Sequence, residues 1–211
     1  MAKKSKIKIP KNQISLDYER AAQIEGFRFV AGVDEVGRGC LAGAVVAAAV
    51  ILDVEKPLPK DLNDSKKLSV TQRNRIAEEI KQTAIAYAIG QIEADEIDRI
   101  NILQATKRAM LAAVEQLFPA ADFLLIDAIN LNDCALPQKS IIKGDAVCAS
   151  IAAASVLAKV YRDTMMHNLD AEYPEYGFAR HVGYGTTEHY AALRKYGASA
   201  IHRKSFRGVI S

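Results

Sequence analysis

"FVAGVDEVGRGCLAG", residues 29–43, is the stretch whose reading decides the fold. An apolar run passes directly into two adjacent carboxylates, Asp34 and Glu35, and then into Gly37-Arg38-Gly39. The run predicts a strand over 28–34, and acids at the end of a buried strand are costly unless a cation or solvent meets them. A Val- and Ala-rich segment from about Gly43 to Leu52 predicts a second strand rather than a helix. The glycine turn between them has a rival reading. "GRGCLA" fits G-x-G-x-x-A, with Asp53 further on, loosely like a dinucleotide-binding fingerprint. Two carboxylates would repel a pyrophosphate there, and a strand is expected where that fingerprint needs a helix.

Outward from this stretch, strands and helices alternate. Ser69 and Gln72 form an S-x-x-Q capping box for a helix from Val70 to about Gln82. "TAIAYAIGQIE" reads as a third strand. An amphipathic segment over 94–117 places Leu103, Met110, Leu111, Val114 and Leu117 on one face of one long helix. "DFLLIDA" (122–128) is a strand ending in Asp127, and "KSIIKGDA" a short strand and turn. Asp145 then stands at the start of a helix reaching about Leu169, whose small residues permit close packing on a sheet. A glycine-rich loop, "HVGYGTTEH", leads to a last short helix. This order predicts an α/β fold, a mixed sheet flanked by helices.

The chain has 211 residues and a net charge of +3, with the basic residues gathered at its ends. Residues 1–11 hold five lysines and no acid; residues 180–211 hold six basic residues against Glu188 alone. Basic ends around an acidic middle suggest a polyanion at the periphery and a centre that attracts cations. Residues 1–13 read as a flexible basic arm and 14–211 as one domain, its portion from about 170 onward helical. No apolar run approaches the roughly 20 residues a membrane span needs. No secretory leader is evident, and three cysteines without C-x-x-C spacing suit a reducing compartment, so a cytoplasmic chain is expected. The histidines show no zinc spacing and no G-x-S-x-G marks a serine nucleophile.

Four carboxylates therefore stand at element ends: Asp34, Glu35, Asp127 and Asp145. Ends of strands on one edge of an α/β sheet converge on one crevice. Four acids there repel one another unless divalent cations balance them, and hard cations favour such oxygen ligands. Two ions about 3.5–4 Å apart can activate water and stabilise the leaving oxygen of a phosphodiester. Adjacent strand residues face opposite sides, so Asp34 and Glu35 share a site only if the backbone bends at the glycines. A glycine turn lets a ligand reach main-chain groups, which can pair with a ribose 2′-OH, a donor and acceptor at once. Tyr184, between Gly183 and Gly185, can stack on a sugar or base.

With those residues in place, the chain resembles the bacterial ribonuclease HII family from about Arg28 to Arg207. The signature "DEVGRG" (34–39) carries the likeness, followed in order by "DSKKLS" (64–69), "LLIDA" (124–128), "KGD" (143–145), "AAASVLAKVYRD" (152–163) and "GYGT" (183–186). The resemblance implies a ribonuclease H-like mixed five-stranded sheet with a C-terminal helical extension that grips a duplex. It implies a monomeric endonuclease using Mn²⁺ or Mg²⁺, cutting the RNA strand of RNA–DNA hybrids and nicking duplex DNA 5′ of embedded ribonucleotides, as ribonucleotide excision repair requires. The ends left would be 3′-OH and 5′-phosphate. Carried over by position, Asp34, Glu35, Asp127 and Asp145 would be the catalytic metal ligands. Gly37, Arg38 and Gly39 would read the 2′-OH and its phosphate, Tyr184 would sense the RNA-to-DNA junction, and Lys66 would touch phosphate. Cys40 and Ala44 replace prolines common in the family, and Val182 stands where a lysine often precedes "GYGT".

Overall fold

The computed structural model describes residues 13–209; the basic arm expected over 1–13 therefore lies, but for Gln13, outside the described residues. Five strands form one mixed sheet in the order β3-β2-β1-β4-β5. β1 (Val30–Val36) and β2 (Val45–Ile51) make an antiparallel hairpin, and β3 (Ala86–Ile92) extends it antiparallel on the outer side. β4 (Phe123–Asp127) joins β1 in parallel, and β5 (Gln138–Ile141) joins β4 in parallel. The expected five-stranded mixed sheet is thus the sheet observed. β2 is buried on both faces along its length, which is why "VVAAAVI" shows no polar alternation. The segment after "GRGCLA" being a strand, the dinucleotide reading fails: no helix follows the turn to hold a pyrophosphate.

Helices cover both faces. On one side α3 (Ala94–Ile100) and α4 (Ile102–Glu115) pack against Ala31, Val33, Val45, Ala47, Leu124 and Ile126. On the other lie α1 (Asp17–Ile24), α2 (Val70–Thr83) and the 24-residue α5 (Ala149–Glu172), over Val46, Ala48, Val50 and Leu125. Two glycines admit these layers closely. A Cβ on Gly32 would stand 2.2 Å from the carbonyl carbon of Ser150, and one on Gly90 would stand 2.1 Å from the carbonyl oxygen of Ala109. The capping box of α2 forms as read: the Ser69 hydroxyl accepts from the Gln72 N–H, and the Gln72 side chain accepts from the Ser69 N–H. Beyond α5, α6 (Phe178–His181) and α7 (Thr187–Tyr196) close a small cluster with Leu41, Met166 and Tyr176. Among the described residues no helix is long and apolar enough to cross a membrane.

Three element boundaries differ from the sequence reading. The segment expected as one helix over 94–117 is two, because Asn101 adopts φ 68° and its side chain accepts from the N–H groups of Leu103 and Gln104, capping α4. Leu103, in the first turn of α4, is exposed rather than on the buried face. Asp145 does not open α5: it lies in a separate 3₁₀ turn, Gly144–Ala146, and α5 begins at Ala149 and runs on to Glu172. β1 continues through Val36 in regular register with β2, so no bend intervenes between Asp34 and Glu35.

The C-terminal cluster buries three histidines that spacing did not flag, His181, His189 and His202. The His189 and His202 Nε2 atoms are 3.0 Å apart; His189 Nδ1 faces the Tyr184 carbonyl and His202 Nδ1 accepts from the Ser199 N–H. That chain of bonds needs both rings neutral, with His189 protonated on Nδ1 and His202 on Nε2. Burial first, then His189 and His181, hold His202 down to about 4.

Two outcomes test this packing. Gly32→Ala forces a methyl into helix backbone that cannot rotate away, and should destabilise the protein by about 3 kcal/mol or more in urea unfolding. A neutral His202 stabilises the fold above its unfolded value near 6.5, and this contribution drains away as pH falls toward 4. Urea midpoints measured between pH 7 and 4.5 should fall more steeply for the parent than for His202→Gln.

Candidate active site

The parallel pairing of β1 and β4 brings two acids to one edge. Gly32 pairs with Leu125 and Val33 with Ile126, so one step further along this register Asp34 stands beside Asp127. Both point to the α5 side of the sheet, as Gly32 and Leu125 do. Asp34 is buried, and its Oδ1 accepts from the Glu35 N–H. Burial, then Glu35 and Asp127, raise its pKa well above the carboxylate range, against the Ser155 hydroxyl and the Glu35 N–H.

Glu35 points by parity to the opposite face, and the strand does not bend to bring it round. It lies at the rim nonetheless. Its Oε1 accepts from Arg38 at 3.3 Å, while Oε2 is buried with no partner. Burial raises its pKa, Arg38 opposes, and Asp127 adds to the rise. Both faces of the sheet therefore contribute to one negative crevice at the end of β1.

Asp127 is oriented by the neighbouring loop. Its Oδ1 accepts from the Gly144 N–H at 2.7 Å, and a Cβ on Gly144 would crowd Ile151 at 2.6 Å. The fourth acid, Asp145, follows at once and so is delivered by the same 3₁₀ turn. Burial raises the Asp127 pKa, the Gly144 N–H lowers it, and Asp145 raises it further. Lys66, largely exposed, reaches in from the 3₁₀ turn Ser65–Lys67 to 3.5 Å from Asp145 Oδ2. Burial disfavours its charge, yet Asp64, Asp145 and Asp34 together raise its pKa.

Four acids from three segments thus share one field, partly offset by Lys66 and Arg38. Such oxygen donors suit hard divalent cations, and the buried, unpartnered Glu35 Oε2 is an acceptor waiting for one. Among the described residues no three His, Cys, Asp or Glu side chains are already drawn to the spacing of a single ion's ligands.

The glycine turn flanks the crevice. Gly37 has φ 88°, and Arg38 lies across Glu35. Tyr184 reaches the turn's far end through a bridge to Cys40, with its ring about half exposed and Lys159 Nζ 6.0 Å from the ring centre. The structure thus brings Asp34, Glu35, Asp127, Asp145 and Lys66 to one edge, with Gly37, Arg38, Gly39 and Tyr184 beside it. Sequence reasoning missed the supporting residues. Ser155 sits beside Asp34, and its hydroxyl meets that of Ser65 at 2.9 Å. Glu19 of α1, fully buried, accepts from the Ser150 N–H at 2.7 Å and caps α5 from outside. Neither left a motif, since each acts through a partner distant in sequence.

Comparison with known proteins agrees with this architecture. The ribonuclease HII family profile matches residues 31–209. Ribonuclease HII of Ruminiclostridium cellulolyticum is 53% identical over 92% of this chain and 76% of that protein. Ribonuclease HII of Desulfitobacterium hafniense is 56% identical over 90% of this chain and 73% of that protein. Among solved structures, ribonuclease H2 of Pyrococcus horikoshii superposes with a TM-score of 0.71 at 24% identity, covering 86% of this chain and 95% of that one. A Bst-RNase HIII solved with Mn²⁺ superposes with a TM-score of 0.64 at 22% identity, covering 90% of this chain and 70% of that one. The solved structures share the ribonuclease H-like fold, and identity above one half across nine-tenths of the sequence settles the rest: this chain belongs to the ribonuclease HII family of endoribonucleases.

Proposed function

We propose that this ribonuclease H nicks duplex DNA on the 5′ side of embedded ribonucleotides and cuts the RNA strand of RNA–DNA hybrids, leaving 3′-OH and 5′-phosphate ends. The observation that carries the reading is the shared crevice of Asp34, Glu35, Asp127 and Asp145 next to a glycine turn. The Mn²⁺ bound by the Bst-RNase HIII neighbour supports divalent cations, Mn²⁺ or Mg²⁺, as the groups this crevice takes. When bound by the four carboxylates, two such ions would supply an activated water and charge stabilisation at the leaving oxygen.

The chain's own groups do the rest. Gly39 is exposed with open space around it, and Gly37, backed by Arg162, turns the chain so that main-chain groups of the turn can meet a ribose, whose 2′-OH gains hydrogen bonds that a deoxyribose cannot make. Arg38, half exposed, is free to exchange Glu35 for a substrate phosphate. Lys66 can hold a second phosphate oxygen beside Asp145. Tyr184 offers a ring face to the sugar on the DNA side of the junction. Arg180, Arg194, Lys195, Lys204 and Arg207 give the C-terminal portion its excess positive charge, suited to the flanking backbone, with the lysine arm adding to it. The water, not the 2′-OH, attacks, so no cyclic phosphate forms. A monomer working in the cytoplasm suffices for this chemistry.

Asp34→Asn and Asp127→Asn should each lower cleavage of a duplex carrying one ribonucleotide by about 10³-fold or more, the scale of losing a key transition-state contact. Full activity in both would overturn the assignment. Because Asp34 is buried among like charges, Asp34→Asn should also melt a few degrees above the parent in chelator, a shift of about 1–2 kcal/mol for a chain of this size. Added Mg²⁺ should then raise the parent's melting point more than the variant's. Tyr184→Ala should lower single-ribonucleotide cleavage more than cleavage of a continuous hybrid; equal losses would remove its role at the junction.

A further inference from the structure

Two arginines, Arg162 of α5 and Arg203 near the C-terminus, are fully buried, and among the described residues neither has a carboxylate within 4 Å. A buried guanidinium without an acid is expensive to fold around. Their hydrogen bonds show where they act. Arg162 donates from Nε to the Ala44 carbonyl, from Nη2 to that of Ala42 and from Nη1 to that of Val182, at 2.8–3.1 Å. Arg203 donates from Nε to the Gly43 carbonyl and from Nη1 to the Arg38 carbonyl, both at 3.0 Å. Its Nη2 is buried without an acceptor. All five carbonyls belong to the loop joining β1 to β2 or to the loop carrying Tyr184.

The turn has little rigidity of its own. Its internal bond, from the Cys40 N–H to the Gly37 carbonyl, is long at 3.3 Å. Arg203 Nη1 on the Arg38 carbonyl is, among the described residues, its hydrogen bond from outside the hairpin. Arg162 backs the turn so closely that a Cβ on Gly37 would lie 2.2 Å from its Nε. Main-chain bonds then join these segments: Leu41 N–H to the Gly183 carbonyl ties the two loops, and Arg203 N–H to the Leu41 carbonyl ties the C-terminal segment to the first of them, both at 2.8 Å.

We propose that Arg203, backed by Arg162, is a positioning residue for ribose selectivity: its clamp on the Arg38 carbonyl holds the Gly37–Gly39 turn in the one shape that distinguishes a 2′-OH from hydrogen. This rests on the reading of that turn as the ribose contact. A guanidinium holds two carbonyls in a rigid planar fork, whereas a lysine ammonium is a compact point charge on a flexible stem and fixes no such separation. With the clamp lost, glycine freedom returns and the 2′-OH meets groups that must first be ordered. Phosphate contacts from outside the turn, those of Lys66 and the basic C-terminal residues, carry no such demand, and the Arg38 phosphate contact is common to both duplexes.

The test is binding in a non-cleaving Asp34→Asn background with Mg²⁺ at fixed salt, comparing a duplex carrying one ribonucleotide with the all-DNA duplex by fluorescence anisotropy. Arg203→Lys should reduce the preference for the ribonucleotide about fivefold, through weaker binding of that duplex alone. An unchanged preference, or equal weakening of both duplexes, would mean that Arg203 only supports the fold. Should Arg203→Lys not fold, Phe206→Leu loosens the ring 5.1 Å beneath the guanidinium while keeping the arginine, and the same ratio decides. Equal binding of both duplexes by the background protein would instead overturn the ribose reading of the turn, and the proposal with it.

Discussion

Mutual repulsion among carboxylates at the ends of β1 and β4 is the constraint around which the molecule is organised. Parallel pairing puts Asp34 beside Asp127, the Gly144 turn adds Asp145, and Glu35 arrives from the other face of the same strand. Burial raises the pKa values of three of them before any neighbouring charge acts. Such an arrangement opposes folding, and it persists because the surrounding packing is strong enough to impose it. The partial remedies are local: one main-chain N–H on Asp34, another on Asp127, and two cationic side chains at the rim.

The element that imposes it is α5. Its first turns lie on β1 so closely that Gly32 has no room for a Cβ, and Glu19 ties down its N-terminal N–H. Midway, Ser155 faces Asp34; further along, Lys159 approaches Tyr184, and Arg162 packs behind Gly37 and bonds the carbonyls of Ala42 and Ala44 beyond the turn. One rigid helix therefore fixes the acids, the turn and the tyrosine loop relative to one another. A loop-built site would lack that common frame.

What was legible in the sequence follows from which interactions are local. The strands and the α2 capping box were readable because alternation, apolar runs and S-x-x-Q are short-range patterns. Asn101 was not: an amphipathic period continues across a break when both helices bury residues in the same core, and only the backbone records the positive φ that separates them. Asp145 looks like a helix cap because aspartate favours that position, yet the Gly144 N–H is committed to Asp127 and the chain needs three more residues before α5 can start. The histidine cluster and the two buried arginines left no spacing signal, since His189 and His202 meet across 13 residues and the arginines bond carbonyls 20 to 165 residues away.

By itself the sequence determined the sheet-and-helix order, the family, and which carboxylates end their elements, because each is written in contiguous residues. The tertiary structure alone decided that Glu35 joins the crevice without a bend in β1, that Lys66 is the counter-charge of Asp145, and that Arg203 bonds the glycine turn while Arg162 of α5 bonds the residues that follow it. These depend on register and on the meeting of distant segments, and a one-dimensional pattern holds no information about which buried donor will find which carbonyl.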